Sequence, residues 1–316
     1  MSKQYSLTKE FACSLFGKTR QGYDKVQVLS KNRLMREKAL CEAVEAVRAE
    51  DPGIGGKKLW LMMKDMFGTE MVRGRDKFYK FLDKYNYTLP IPKPRRTTNS
   101  NHRFHKYSNL VKDKDITASD QLWVSDITYI EMEQDKCYLH LVTDAFSHKI
   151  VGWNLSGSLA AIFTKKALTM AIEHATRTNL EGLIHHSDRG IQYCCDEYVQ
   201  ELTEHNISIS MTEDYNPTDN AIAERANGII KNELVYRVPR FADIKEARKK
   251  IGDFIDFYNN KRPHMSIGYQ TPAFVYKNGG SYMKCWKKKT FEGKNDLSLQ
   301  QLEAQCQPNQ EKEQPI

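Results

Sequence analysis

Three carboxylates stand in contexts that a soluble surface does not explain: Asp126, Asp188 and Glu224. Asp126 interrupts an apolar and β-branched run, Trp123-Val124-Ser125-Asp126-Ile127-Thr128-Tyr129-Ile130. Asp188 closes a second run, Leu183-Ile184-His185-His186-Ser187-Asp188. Glu224 lies one turn into the helical segment Asn220-Ala221-Ile222-Ala223-Glu224-Arg225. A carboxylate at the end of a buried strand is costly unless something pairs with it. Two unit charges about 4 Å apart repel by roughly 4 kcal/mol at an effective dielectric near 20. If these three acids meet in space, the natural remedy is a divalent cation that prefers oxygen ligands, Mg²⁺ or Mn²⁺. That is the chemistry of phosphodiester cleavage and transfer. The chain holds 40 acidic residues, so spacing alone does not select this triplet; local context does. Lys231 follows Glu224 by two helical turns and shares its face, where it can reach a phosphate. The plainer reading is a surface Glu/Lys pair worth a few tenths of a kcal/mol. Asp144 is a rival ligand because it ends the strand beside Asp126; a turn or supporting role is favoured for it.

The elements that must position these residues are legible from periodicity. Strands are predicted over 122–132, 137–144, 149–155, 182–187 and 207–211, the first three forming an antiparallel meander. Helices are predicted over 159–177 and 192–205, and from Asn220 onward with Thr218 or Asp219 as the cap. The order β-β-β-α-β-α-β-α gives a mixed sheet with helices packed on it. Ahead of it, Leu40, Val44 and Val47 mark an amphipathic helix over 34–50, ended by Asp51-Pro52-Gly53. A second helix runs from Gly56 to about Gly68. A third runs from Arg73 to Tyr85, with Phe78, Phe81, Leu82 and Tyr85 inward and Arg73, Arg75, Lys77, Lys80 and Lys84 around the rest. Three short helices with a basic third helix fit a helix-turn-helix, the third helix entering a DNA major groove. Charge runs on helices are more often simply solvated faces. Residues 90–106 carry three prolines with Arg95, Arg96, Arg103 and Lys106 and no acid, a segment that tracks phosphates or spaces two domains.

Charge divides the chain. Residues 1–119 hold 25 Lys and Arg against 13 Asp and Glu, a net +12, and the remainder holds 23 against 27, a net −4. A basic amino-terminal part ahead of an acid-bearing core suits a polyanion-gripping module joined to a metal-dependent enzyme. The seven cysteines include no C-x-x-C pair, and Cys194, Cys195, His185 and His186 fit no tetrahedral zinc pattern. Free thiols suit a reducing cytosol. No run approaches the length of a membrane span, and the amino terminus lacks a signal-peptide core. The expectation is a cytoplasmic, nucleoid-associated protein with no membrane partner.

Four motifs occur in order: Trp-x-x-Asp-Ile-Thr-Tyr at Trp123–Tyr129, His-Ser-Asp-Arg-Gly-x-Gln-Tyr at His186–Tyr193, Asp-Asn-Ala-x-x-Glu at Asp219–Glu224 and Tyr-Asn-x-x-Arg-Pro-His at Tyr258–His264. Together they resemble DDE transposases with a retroviral-integrase-type core, and most of all the transposases encoded by the second reading frame of bacterial two-frame insertion sequences. The resemblance spans roughly residues 35–276. It implies an α/β fold, a ribonuclease-H-like mixed five-stranded sheet flanked by helices, preceded by a small all-α helix-turn-helix domain. It implies Asp126, Asp188 and Glu224 as a catalytic triad holding two Mg²⁺ or Mn²⁺ ions, and Lys231 as a contact to DNA near the scissile phosphate. The expected layout is an N-terminal helical segment (1–36), a helix-turn-helix (37–89) with Arg73, Arg75, Lys77 and Lys80 on DNA, and a basic linker (90–119) with Arg95 and Arg96 on phosphates. A catalytic core (120–276) and a basic, then Gln/Glu-rich tail (277–316) follow. Expected partners are double-stranded DNA at element ends and target, other copies of the chain on DNA, and the upstream-frame product as a further candidate. Two alternatives stand beside strand cleavage with strand transfer: a ribonuclease-H-like nuclease that cuts without joining, and a non-catalytic DNA-binding regulator.

Overall fold

The computed structural model describes residues 8–90, 105–112, 114–213 and 220–280. The basic-linker candidates Arg95 and Arg96, the cap candidates Thr218 and Asp219, and most of the tail lie outside the described residues. The chain forms two compact units, Met1–Ala49 with Leu59–Thr88, and Glu50–Lys58 with Leu89–Ile316.

The first unit is helical. α1 (Lys9–Leu15) opens on Thr8, whose hydroxyl accepts from Phe11 N. α2 (Arg20–Glu50) is longer than its apolar stripe: Leu40, Val44 and Val47 are buried, whereas the residues before Arg36 are almost all exposed. Only the packed half carried a readable period. α3 (Gly56–Val72) runs on beyond Gly68, which takes φ 75 and ψ 170 inside it. Arg73 then turns the chain at φ 60, its carbonyl accepting from Trp60 Nε1 at 3.1 Å, and α4 (Arg75–Lys84) follows. Phe78, Phe81 and Leu82 face inward from α4, as their spacing predicted.

The second unit is built on one sheet. β1 (Leu122–Glu131), β2 (Lys136–Asp144) and β3 (Ile150–Ser156) form the antiparallel meander. α5 (Ala161–Glu173) leads to β4 (Ile184–Ser187), which pairs parallel to β1. Next come α6 (Ile191–Cys194), α7 (Asp196–Glu204) and β5 (Ser208–Met211), the last parallel to β4. The strand order is β3-β2-β1-β4-β5, the ribonuclease-H-like arrangement. The helix expected over 192–205 is broken at Cys195, which is extended at φ −73 and ψ 149. After β5 come α8 (Ala221–Ile229), a π-helical turn (Ile230–Val235), α9 (Ile244–Asn260) and α10 (Pro272–Asn278).

Each sheet face has its own core, as alternating strand residues require. One face packs Ile130, Leu139, Leu141 and Leu155 against Ile230, Ile251, Phe254 and Tyr258. The other packs Trp123, Val142 and Val151 against Leu168, Tyr198 and Leu202. α5 crosses β3 so closely that a Cβ on Gly152 would stand 2.1 Å from the Ala167 carbonyl oxygen. Any larger residue there would push α5 off the sheet.

Candidate active site

The three acids come from three different elements. Asp126 is the fifth residue of β1, the central strand; Asp188 directly follows β4, its parallel neighbour; Glu224 lies in the first turn of α8. β1 and β4 pair through Ser125 and Ser187, so Asp126 and Asp188 leave the same edge of the ladder side by side. α8 is brought over them partly by Asn220, whose Nδ2 donates to the Ser125 carbonyl at 3.0 Å.

Asp126 is half-buried and held at both oxygens. Its Oδ1 accepts from Ile127 N at 2.9 Å, and its Oδ2 accepts from Asn227 Nδ2 at 2.8 Å. Burial, then the neighbouring Asp188 charge, and more weakly Glu224, push its carboxyl up to about 7 despite those two donors. The sign reports crowding of negative charge at one place. Asp188 Oδ1 accepts from Gly190 N at 3.0 Å. Glu224 is exposed, and burial raises its carboxyl modestly. All three donors are hard oxygens, suited to Mg²⁺ or Mn²⁺, and the repulsion on Asp126 is what a cation relieves. Among the described residues, no three His, Cys, Asp or Glu side chains stand close enough to share one ion in this conformation. Asp126 and Asp188 are neighbours on the sheet, whereas Glu224 is exposed in the first turn of α8.

Lys231 lies in the π-helical turn two helical turns beyond Glu224. Its Nζ sits 4.6 Å from the centroid of the Tyr129 ring on β1. Burial lowers its pKa, while Tyr129, Asp126 and Glu131 act to raise it. The structure thus places the lysine against the Tyr129 ring of β1.

Other candidates resolve into structure. Asp144 accepts from Ser147 N and Oγ on one oxygen and from Asp120 N on the other, so it ties a turn. His186 is buried with Nδ1 2.8 Å from Ser210 Oγ. Tyr193, the last residue of the motif around Asp188, is in the core against His185 and Tyr198. Arg262 is a structural residue, 1% exposed and bonded twice to Glu233.

In the helical unit, Arg73, Lys77 and Lys80 are exposed, and Arg75 is half-buried with Nε 3.5 Å from Asp76. A groove there is lined by Arg33, Arg36, Arg73, Lys77, Lys80 and Lys84. Arg33 and Arg36 come from α2, so reading α4 alone missed them. Glu37 sits at its floor and accepts from Arg33 Nε, Lys84 Nζ and Tyr85 hydroxyl at 2.9, 2.6 and 2.8 Å. Burial would raise Glu37, but the bonds from Lys84, Arg33 and Tyr85 prevail and hold it near 2. Sequence reasoning also passed over Asn227, which donates to Asp126. Its signal was position: three residues after Glu224, on the same helix face.

The comparisons with known proteins agree with this geometry. Residues 116–217 and residues 205–272 match two families, each described as Integrase core domain. The chain is 30% identical over 265 residues to the "Insertion element IS600 uncharacterized 31 kDa protein" of Shigella sonnei, covering 83% of this chain and 96% of that one. It is 28% identical over 257 residues to a putative transposase for insertion sequence element IS986/IS6110 of Mycobacterium tuberculosis (strain CDC 1551 / Oshkosh), covering 79% of this chain and 91% of that one. Among solved structures, the HTLV-2 integrase catalytic core domain is similar at 21% identity and a TM-score of 0.40, over 50% of this chain and 97% of that one. No helix among the described residues is long and apolar enough to cross a membrane. The match to an insertion-element protein along nearly all of its length, over a core carrying the integrase family's sheet, places this chain in the family of DDE transposases of bacterial insertion sequences.

Proposed function

We propose that this transposase binds the ends of its element as double-stranded DNA and performs both strand cleavage and strand transfer at one site formed by Asp126, Asp188 and Glu224. The observation that carries the reading is the placement of Asp126 and Asp188 at adjacent ends of paired β1 and β4, with α8 pinned over them through Asn220; burial and the Asp188 charge raise the Asp126 carboxyl there. A group of acids kept in mutual repulsion on rigid elements favours a cation-binding role over a structural one. Two Mg²⁺ or Mn²⁺ ions, when bound, would supply Lewis acidity at the phosphate and a more acidic water or 3′-hydroxyl. Asn227 and the Ile127 amide fix the orientation of Asp126, and the Gly190 amide fixes Asp188. Glu224, exposed at the start of α8, joins the two aspartates on the cation by turning inward. Lys231, its ammonium against the Tyr129 ring three residues along β1 from Asp126, meets the phosphate being transferred. Water and a DNA 3′-hydroxyl are alternative nucleophiles at this one site, so joining needs no second centre and no covalent protein intermediate.

Arg33, Arg36, Arg73, Lys77 and Lys80 offer a cationic groove for the DNA backbone, and copies of the chain assemble on DNA. The test uses labelled element ends and a supercoiled target with Mg²⁺. The intact chain is expected to give joined products. Asp188→Asn is expected to give neither nicks nor joints while retaining DNA binding. Wild-type joining by Asp188→Asn would refute the assignment, and nicking without joining by the intact chain would leave a nuclease.

A further inference from the structure

The turn Glu50–Lys58 between α2 and α3 is folded into the catalytic unit by a set of contacts that the chemistry above does not use. Lys261 Nζ donates to Glu50 Oε2 at 2.6 Å, and the Lys57 ammonium lies 4.9 Å from the Tyr269 ring centroid. Ile54 is fully buried. Asp51 is also fully buried; its Oδ1 accepts from Gly53 N at 3.1 Å, and its Oδ2 lies 3.8 Å from Arg262 Nε. Arg262 grips Glu233 through two bonds of 2.6 and 2.7 Å, and Lys58 Nζ adds a third at 3.2 Å. Gly53 is packed so tightly that a Cβ there would meet Glu233 Cα at 2.2 Å and the Asn232 carbonyl oxygen at 2.8 Å. Asn232 and Glu233 belong to the π-helical turn Ile230–Val235, which also carries Lys231. Such i→i+5 turns are rare and are found frequently at functional sites.

We propose that Glu50–Lys58 is a positioning element for the transfer reaction: packed on Asn232 and Glu233, it fixes the π-helical turn that holds Lys231 against the Tyr129 ring of β1. The assignment rests on the reading of Lys231 as a group of the active site. Gly53, Asp51 and Arg262 touch no reacting atom; they act through the backbone of the turn. A displaced turn moves Lys231 off the Tyr129 ring, and displacement by about 1 Å of a group that positions substrate costs up to roughly a hundredfold in rate.

The test compares the full chain with Gly53→Ala, Lys231→Ala and the double variant. One readout is single-turnover strand transfer of pre-cleaved ends. The other is the labelling rate of Lys231 by an amine-reactive reagent, followed by mass spectrometry without metal or DNA. Gly53→Ala is expected to lower transfer by about tenfold or more with unchanged DNA affinity, and to raise Lys231 labelling. In the Lys231→Ala background it is expected to cost less than about twofold, since coupled residues do not add. The same loss in both backgrounds, or unchanged labelling, overturns the proposal. Transfer at the parent rate by Lys231→Ala overturns both it and the catalytic reading of Lys231. Raised labelling in Gly53→Ala, with no transfer by the parent chain, defeats the transposition reading of the site and leaves the clamp standing. If Gly53→Ala does not fold, Arg262→Lys replaces it with the same expectations, because it keeps the charge but loses the paired bonds.

Discussion

Asp126→Asn should make this protein more stable while abolishing its chemistry. An unperturbed Asp titrates near 3.9, whereas Asp126 in the metal-free fold is pushed up to about 7 by burial and by Asp188. A carboxyl raised in this way contributes stability that is fully present below about pH 4 and is lost as the pH rises through about 7. Holding it ionised at pH 8 costs about 4 kcal/mol, at 1.36 kcal/mol for each tenfold change in acidity. The substitution keeps the shape of the side chain. Its oxygen can still accept from Ile127 N. Asn227 can flip its amide, because its Oδ1 is buried and has no partner to lose. The net gain expected at pH 8 is about 2–4 kcal/mol, shrinking toward zero by pH 4. Urea unfolding of the two proteins in EDTA at pH 8, 6 and 4 measures this directly. Mg²⁺ should then stabilise the parent and leave the variant almost unmoved. A variant less stable than the parent at pH 8, or a difference that does not vary with pH, would refute the idea that the acids repel in the metal-free site.

Three further outcomes are expected. Arg262→Ala leaves Glu233 in a buried site with only Lys58 as a cationic partner, and should destabilise the catalytic unit by about 3–5 kcal/mol; adding Glu233→Gln should recover part of that loss in denaturant melts. Reversing Lys77 and Lys80 to Glu should weaken binding to element ends and lower the slope of log affinity against log salt by about 1 for each phosphate no longer neutralised; an unchanged slope would remove the groove from the interface. Burial holds His140 near 4 and His185 near 3, so neither imidazole should titrate between pH 7 and 5 by NMR. Since unfolded imidazoles protonate near 6.5, stability from each is present above that value and falls by about 2 kcal/mol between pH 7 and 5, against the opposing effect of Asp126.

What the sequence made legible was whatever local pattern encodes. Asp126 stood out because a charge broke a β-branched run, and the meander around it was readable because its strands alternate. α4 was readable because Phe78, Phe81 and Leu82 repeat at helical spacing. Arg20–Met35 was expected to be helical, but not to run unbroken into the helix after it, because its exposed face carries no apolar period. Asp144 and Asp126 look alike as residues in strands; only the bonds from Ser147 and Asp120 separate the turn from the site. The burial of Tyr193 was not legible either, because its partners, His185 and Tyr198, come from a strand and a separate helix.

The clamp on Glu233 was the least legible feature, since it joins Asp51, Lys58, Glu233 and Arg262 across more than half the chain. It also shows why Lys231 and Glu233, two residues apart, answer to different partners. Ala221–Val235 carries Asn227 onto Asp126, Lys231 onto Tyr129, and Glu233 into the clamp. An uninterrupted α-helix places side chains at fixed steps of 3.6 residues per turn. The π-helical turn changes that step between the residue that meets Asp126 and the residue that meets the clamp. A change in the grip on Glu233 is therefore felt first at Lys231, before it reaches the carboxylates on β1 and β4, which the sheet holds independently.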